Sequence, residues 1–277
     1  MGALAVVAGF PAMSSVASAA DEPPKFTYSF NIGLASDYVF RGVSQNREKP
    51  AVQGGIDLGY GIAYFGLWAS NVDFGNNGGF GGSASQQQVN TELDIYGGIK
   101  PVVGPATFDL GVIYYAYPGA HDGGAARFQV ERQDYVEFKG GVSGAFFPSL
   151  PKLTLGGTVF YSPEYQTKQG SVFTVEGNAA YELPAVGPIT PTLSALIGAQ
   201  YGDAGNAQLG APIVGRFTLG NGSDDLTYWN AGITLAVEKF SFDFRYWNTD
   251  ISNAANFCNG RFAQCDERFV FLGKFTY

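Results

Sequence analysis

Phe26, Tyr28, Phe30, Ile32, Leu34, Tyr38 and Phe40 share one phase of a two-residue alternation, while Thr27, Ser29, Asn31, Asp37 and Arg41 occupy the other. Successive side chains of a strand point to opposite faces, so the pattern predicts a strand with one oily and one polar, charged face. The end of the chain repeats it: Phe269, Phe271, Phe275 and Tyr277 alternate with Arg268, Lys274 and Thr276. Aromatic-rich faces on strands of about ten residues are what a transmembrane barrel presents to lipid.

The same rhythm recurs between the two ends. Val52, Ile56, Leu58 and Tyr60 alternate with Gln53, Gly55 and Asp57, and Tyr64, Trp68, Val72 and Phe74 oppose Ala69, Asn71 and Asp73. Next, Val89, Thr91, Leu93, Ile95 and Ile99 oppose Asn90, Glu92, Asp94 and Tyr96, and a further strand carries Phe108, Leu110, Val112 and Tyr114. Strands are then predicted near 136–146, 153–161, 172–183, 193–201, 226–237, 240–247 and 268–277. Short turns at 101–105, 148–152, 184–190 and 238–239 alternate with long loops at 75–88, which is rich in Gly, Asn, Ser and Gln, and at 119–132, 203–225 and 250–267. The expectation is an all-β fold, a transmembrane antiparallel up-and-down β-barrel of about twelve strands, with the first strand hydrogen-bonded to the last. Short periplasmic turns and longer external loops place the N- and C-termini in the periplasm.

Composition supports that class. Glycine is abundant (39 residues), aromatics reach 15%, charged residues only 14%, and mean hydropathy is +0.00, an average of two opposite faces. A helical membrane protein needs stretches of about 20 apolar residues, and none follows Met13. Soluble sandwiches also alternate, but rarely keep Phe and Tyr on one face over so many strands. The apolar run from Leu4 to Met13, followed by Ala17-Ser18-Ala19, reads as a signal peptide over residues 1–19, which leaves 20–277 as the barrel. The usual positive first segment is missing, since no Lys or Arg precedes Lys25. Met1 is then either not the true start or the beginning has been lost. The segment carries no charge, so the mature chain keeps the net charge of -8.

Cys258 and Cys265 are the two cysteines and fall in one long loop. In an oxidising envelope compartment such a pair is most simply a disulfide, which contributes about 2 to 3 kcal/mol by limiting the unfolded chain. A metal site is a poor alternative, because the single histidine, His121, is in another loop and no CxxC occurs.

The string SDYVFRGVSQ, Ser36 to Gln45, resembles the opening signature of the TorF-type porin family of proteobacterial outer-membrane proteins. GLWASNVDF from Gly66, TELDIYGG from Thr91, GVIYYAYPG from Gly111, DYVEFKGGV from Asp134 and YSPEY from Tyr161 are further echoes, in the family's order. The resemblance implies a Gram-negative outer-membrane barrel with a transport role. It carries no catalytic residues.

Asp37, Arg41, Asp57, Glu92, Asp94, Asp109, Glu137, Lys139, Glu176, Asp243, Arg245, Arg268 and Lys274 fall in the inward phase and are the candidate pore-lining residues. Facing lipid, such charges would cost about 2 to 4 kcal/mol near the midplane. Asp37 and Arg41 are roughly 13 Å apart along a strand, too far to bond each other. Arg268 and Lys274 on the last strand are the natural partners of Asp37. Two readings stay open: the charges brace the wall, or they set the field along a water-filled path. Acidic groups outnumber basic ones, which gives a mildly negative lumen and a weak cation preference. About twelve strands lie between a filled barrel and a wide porin, so the passage is narrow.

An outer-membrane porin-like channel for ions or small solutes is therefore expected, and no enzyme. A lipid hydrolase would need a nucleophile and base, and His121 sits at a glycine-flanked loop tip with no GxSxG, HExxH or P-loop in the chain. A plugged structural or recognition barrel is the other rival, with Arg127, Phe128, Arg216, Phe217, Phe257, Arg261 and Phe262 as its loop surface. Expected partners are outer-membrane lipid, the permeating solutes and, through the terminal aromatic Tyr277, the barrel-assembly machinery. No cofactor, metal or nucleic acid is implied. In the native protein, Cys258 and Cys265 are expected to resist alkylation until a reductant is added; mass spectrometry showing both alkylated without reduction would refute the pairing.

Overall fold

The computed structural model describes residues 24–73, 89–118, 134–166, 170–202, 226–250 and 265–277. Its strands are β1 (Phe26–Ala35), β2 (Val39–Phe40), β3 (Val43–Ser44), β4 (Ala51–Tyr60), β5 (Ala63–Asn71), β6 (Thr91–Ile99), β7 (Val102–Val103) and β8 (Ala106–Ala116). They continue as β9 (Tyr135–Gly144), β10 (Leu153–Ser162), β11 (Val172–Glu182), β12 (Thr190–Gly202), β13 (Leu226–Val237), β14 (Phe240–Thr249) and β15 (Arg268–Thr276). The twelve longer strands pair antiparallel with their chain neighbours, β6 joins β8, and β1 joins β15 with Asn31 opposite Thr276 and Ala35 opposite Leu272. The sheet is a closed barrel. Of the short strands, β7 folds back on β8 within a turn, and β2 pairs only with β3.

The alternation of the sequence becomes the two faces of this wall. On β1, Phe26, Tyr28, Phe30, Ile32 and Leu34 are all exposed, and Ile56, Leu110, Ile197 and Phe244 continue the apolar band around the outside. Apolar side chains in such number on a free surface belong in lipid. Phe30 stacks on Tyr277 at 5.2 Å and tilts against Phe275 at 6.2 Å, so the seam between the two chain ends is covered by rings. At one end of the barrel the hairpins are tight: Gly61 (φ 58) serves the β4–β5 turn and Glu238 (φ 52) the β13–β14 turn. The start of β1 and the end of β15 meet at that same end, where Phe30 and Tyr277 exchange backbone hydrogen bonds of 3.1 and 2.9 Å.

Two readings of the alternation change. The first strand ends at Ala35, not Phe40. Ser36 interrupts the apolar phase, its amide bonds the Phe271 carbonyl at 2.8 Å, and the chain then leaves the wall for the lumen, taking Tyr38 and Phe40 away from lipid. On β5 the outward residues are Phe65 and Leu67, while Trp68 is buried inside and Tyr64 turns its hydroxyl to Asp109 at 2.7 Å. A ring with a polar atom finds its partner in the lumen, where none exists in hydrocarbon. The signal-peptide region, His121, Cys258 and the loop residues Arg127, Phe128, Arg216, Phe217, Phe257, Arg261 and Phe262 lie outside the described residues.

Ile56, midway along β4 and 52% exposed, is expected to be intolerant of charge. Ile56→Arg should lower stability in bilayers by about 2 to 4 kcal/mol, read as a shift of the urea midpoint of vesicle-inserted barrel.

Candidate functional site: the lumen and its inward hairpin

Between β1 and β4 the segment Ser36–Pro50 folds into the barrel as a small hairpin. Val39 pairs with Ser44 and Phe40 with Val43, and the turn residues Arg41 (φ 49) and Gly42 (φ 82) both have positive φ. That is the requirement of a type I′ turn, which suits two strands of right-handed twist. Gly42 is needed for space as well, because a Cβ there would collide with the Thr249 side chain and lie 3.0 Å from Tyr228 Cβ. The base of the hairpin is held by its own side chains. Ser44 Oγ donates to Asp37 Oδ1 at 2.8 Å, and the Asn46 amide donates to the carbonyls of Lys49 and Pro50 at 3.0 and 2.7 Å.

Each residue of the Asp37–Gly42 run reaches a different part of the wall. Arg268 Nη1 on β15 donates to Asp37 Oδ2 at 3.0 Å. Tyr38, 2% exposed, donates its hydroxyl to Glu92 Oε1 on β6 at 2.6 Å and sets its ring edge-on to Trp68 at 5.3 Å. Arg41, 3% exposed, forms a bidentate pair with Glu137 on β9, both bonds 2.9 Å, and its Nη1 also meets Gln200 Oε1 on β12 at 3.5 Å. Its guanidinium lies between the rings of Phe40 (4.7 Å) and Phe160 of β10 (5.1 Å). Glu137 is 0% exposed and takes a further hydrogen bond from the Tyr115 hydroxyl at 3.0 Å.

The ring order shows what this means. From β1, one way round runs through β15, β14, β13, β12 and β11, the other through β4, β5, β6, β8 and β9, and both arrive at β10. A hairpin rooted beside β1 whose tip touches Phe160 and Glu137 therefore crosses the lumen. It is packed on both faces. Tyr38 and Phe40 join Trp68, Tyr96, Ile113, Tyr115 and Tyr135, whereas Val39 and Val43 join Leu196, Leu226, Tyr228 and Trp247.

The remaining charges are distributed below and beside it. Lys139 bonds Asp109 at 2.7 Å, with Lys100 3.9 Å from the same carboxylate. In its turn after β6, burial holds the Lys100 ammonium below the usual lysine range, with Asp109 opposing. Arg245 holds Asp243 through Nε (3.0 Å) and Nη2 (2.9 Å) and reaches Asn230 on β13 and Ser194 on β12. Carboxylates without a cation take tyrosines: Asp57 accepts from Tyr96 at 2.6 Å and Glu176 from Tyr228 at 2.5 Å. Lys274 faces Asp57 and Asp243 without an ion pair to either. Of the two partners expected for Asp37, then, Arg268 is used and Lys274 is not. Glu92 and Asp94, 2% and 0% exposed, lie under the hairpin and not along an open path.

Asp37 and Arg41, expected on the wall, belong to the inward hairpin instead, and tyrosines, absent from the expected lining, are the partners of several acids. A usable signal existed for Tyr96, which falls in the polar phase of its strand, but none for Tyr38, whose phase is the apolar one.

The family model described as a bacterial protein of unknown function (Gcw_chp) matches residues 18–276. No curated protein matches the chain in sequence. Among solved structures, it is similar to the NanC porin (9% identity, 91% of this chain and 100% of that one, TM-score 0.49) and to the KdgM porin (7%, 90% and 98%, 0.48). LpxR from Salmonella typhimurium is a comparable match (10%, 90% and 99%, 0.46). Identities and scores this low carry nothing over to the present chain.

Arg268→Met should cost about 3 to 5 kcal/mol by leaving the Asp37 carboxylate buried without its cation. Adding Asp37→Asn should restore a large part of that loss, and equal urea midpoints for the single and double variants would contradict the pairing.

Proposed function

We propose that this chain, which belongs to the Gcw_chp family of bacterial proteins of unknown function, is a narrow porin-like channel of the Gram-negative outer membrane, passing ions or small solutes passively with a weak preference for cations. The observation that carries the reading is a closed barrel, apolar outside, whose lumen receives acidic or basic side chains from β4, β6, β8, β9, β11, β14 and β15. The resemblance of Ser36–Gln45 to the TorF-type porins supports it, as does the meeting of the start of β1 and the end of β15 at the tight-turn end, since bacterial barrels have their short turns on the periplasmic side.

Charge sets the selectivity. Eight candidate carboxylates face five candidate cations, Arg41, Lys139, Arg245, Arg268 and Lys274. Four of the acids, Asp37, Asp109, Glu137 and Asp243, are neutralised by direct pairs. With Glu92 and Asp94 covered, Asp57 and Glu176 are the half-buried acids that a passing ion can sense, and Lys274 offsets part of their field. The resulting preference is weak, and screening that shortens to about 3 Å at 1 M salt from about 10 Å at 0.1 M weakens it further.

The burial of the hairpin on both faces favours a second reading, a plugged structural or recognition barrel without transport. Planar-bilayer recording separates the two, since conductance steps of constant size mark a channel and silence a plug. Reversal potentials across a salt gradient are expected to favour cations in the wild type at low salt, and to lose a measurable part of that preference in the Asp57→Asn, Glu176→Gln double variant. Anion selectivity in the wild type would overturn the assignment of the lumen field.

A further inference from the structure

We propose that the Ser36–Pro50 hairpin is a gate, a plug seated across the lumen that withdraws to open the path and is latched shut by the Arg41–Glu137 pair. The inference rests on the reading of the barrel as a channel and adds its regulation.

The hairpin is attached so that it can leave. Its base is a closed rung of the wall, Ala35 opposite Ala51, and β1 pairs with β4 all the way to that rung. The small sheet of β2 and β3 shares no ladder with the barrel. Among the described residues, apart from the Ser36–Phe271 bond at the base, its main-chain hydrogen bond to the residues around it is the one that the Asp73 N–H donates to the Gln45 carbonyl (2.9 Å). Everything else that seats it is side chain. Withdrawal therefore breaks no rung of the barrel.

The seat is polar and incompletely satisfied. Arg41 Nε at the tip and Thr174 Oγ1 in the wall beneath it are buried without a protein hydrogen bond. Phe160, Thr174 and Gln200 form a cross-strand row on β10, β11 and β12, and the Arg41 guanidinium lies against both ends of it. Burying unpartnered polar atoms opposes seating, and these atoms gain water when the hairpin lifts. Against this stand the apolar contacts of Tyr38, Val39, Phe40 and Val43 and the ion pairs. A buried pair is finely balanced while intact and strongly unfavourable when one member is removed. The tip is also shaped to its stop, because Gly42 leaves no room between hairpin and the Thr249 and Tyr228 side chains. An element with two faces, a paired hinge and a charged latch is one whose two positions can lie close in free energy.

The test uses the full chain in planar bilayers, with heat-modifiable migration as the check that each barrel is folded. Glu137→Gln keeps the shape of the partner and removes its charge. A second variant replaces residues 38–45 with a Gly-Ser linker and leaves the Ala35–Ala51 rung in place. The wild type is expected to be mostly closed with brief openings, and Glu137→Gln should raise the open fraction by at least about tenfold. The linker variant should conduct steadily at the wild-type open level. Folded variants with the wild-type open fraction would overturn the gate and spare the channel. Silence from all folded proteins, the linker variant included, would overturn the channel and the gate with it. Should Glu137→Gln not fold, the linker variant alone decides. If neither variant folds, the hairpin is a fixture that the barrel needs, and the gate is overturned.

Discussion

The pairing of β1 with β15 is the constraint on which everything else depends. In hydrocarbon a strand edge has no water to satisfy its N–H and C=O groups, so a sheet is tolerated only when it closes on itself. The register Asn31–Thr276 to Ala35–Leu272 completes that closure, and the Phe30, Phe275 and Tyr277 rings cover it from the lipid side. Once the wall is closed, its outer face at membrane depth is committed to apolar side chains, and charges at that depth are driven inward. The crowding of acids, bases and tyrosines in the lumen follows from the same rule.

Inside, burial forces partnership. A charge removed from bulk water must be paired or hydrogen-bonded, and the chain meets this in two ways. Arginines and lysines take the acids Asp37, Asp109, Glu137 and Asp243, while tyrosine hydroxyls serve Asp57, Glu92 and Glu176. The hairpin exploits both modes, since it brings a carboxylate, a tyrosine and an arginine to three separate sectors of the wall. It is fastened by chemistry that the lumen already contains.

The barrel was legible because its signal is local. Period-two alternation, short and long connections in turn, and matched aromatic faces at both ends suffice for strand number and closure. The hairpin was not, because its position depends on partners far along the chain. Nothing near Arg41 announces Glu137, and the φ values that turn Arg41 and Gly42 inward are permitted by the sequence Arg-Gly but not demanded by it. Ser36 was the visible clue, a polar residue where the alternation required an apolar one. Tyr64 and Trp68 misled for a related reason: an amphipathic ring fits either face, and the nearest polar partner decides.

The anchor of the hairpin joins residues from opposite ends of the polypeptide, Asp37 and Arg268, separated by 231 positions. Contacts of such long sequence separation form late, after loop-closure entropy has been met by other structure. During assembly the hairpin base lacks its counterion until the final strand docks, so the last rung of the wall and the anchoring of that base are one event. A chain halted before β15 would carry both an open edge and an Asp37 without its arginine.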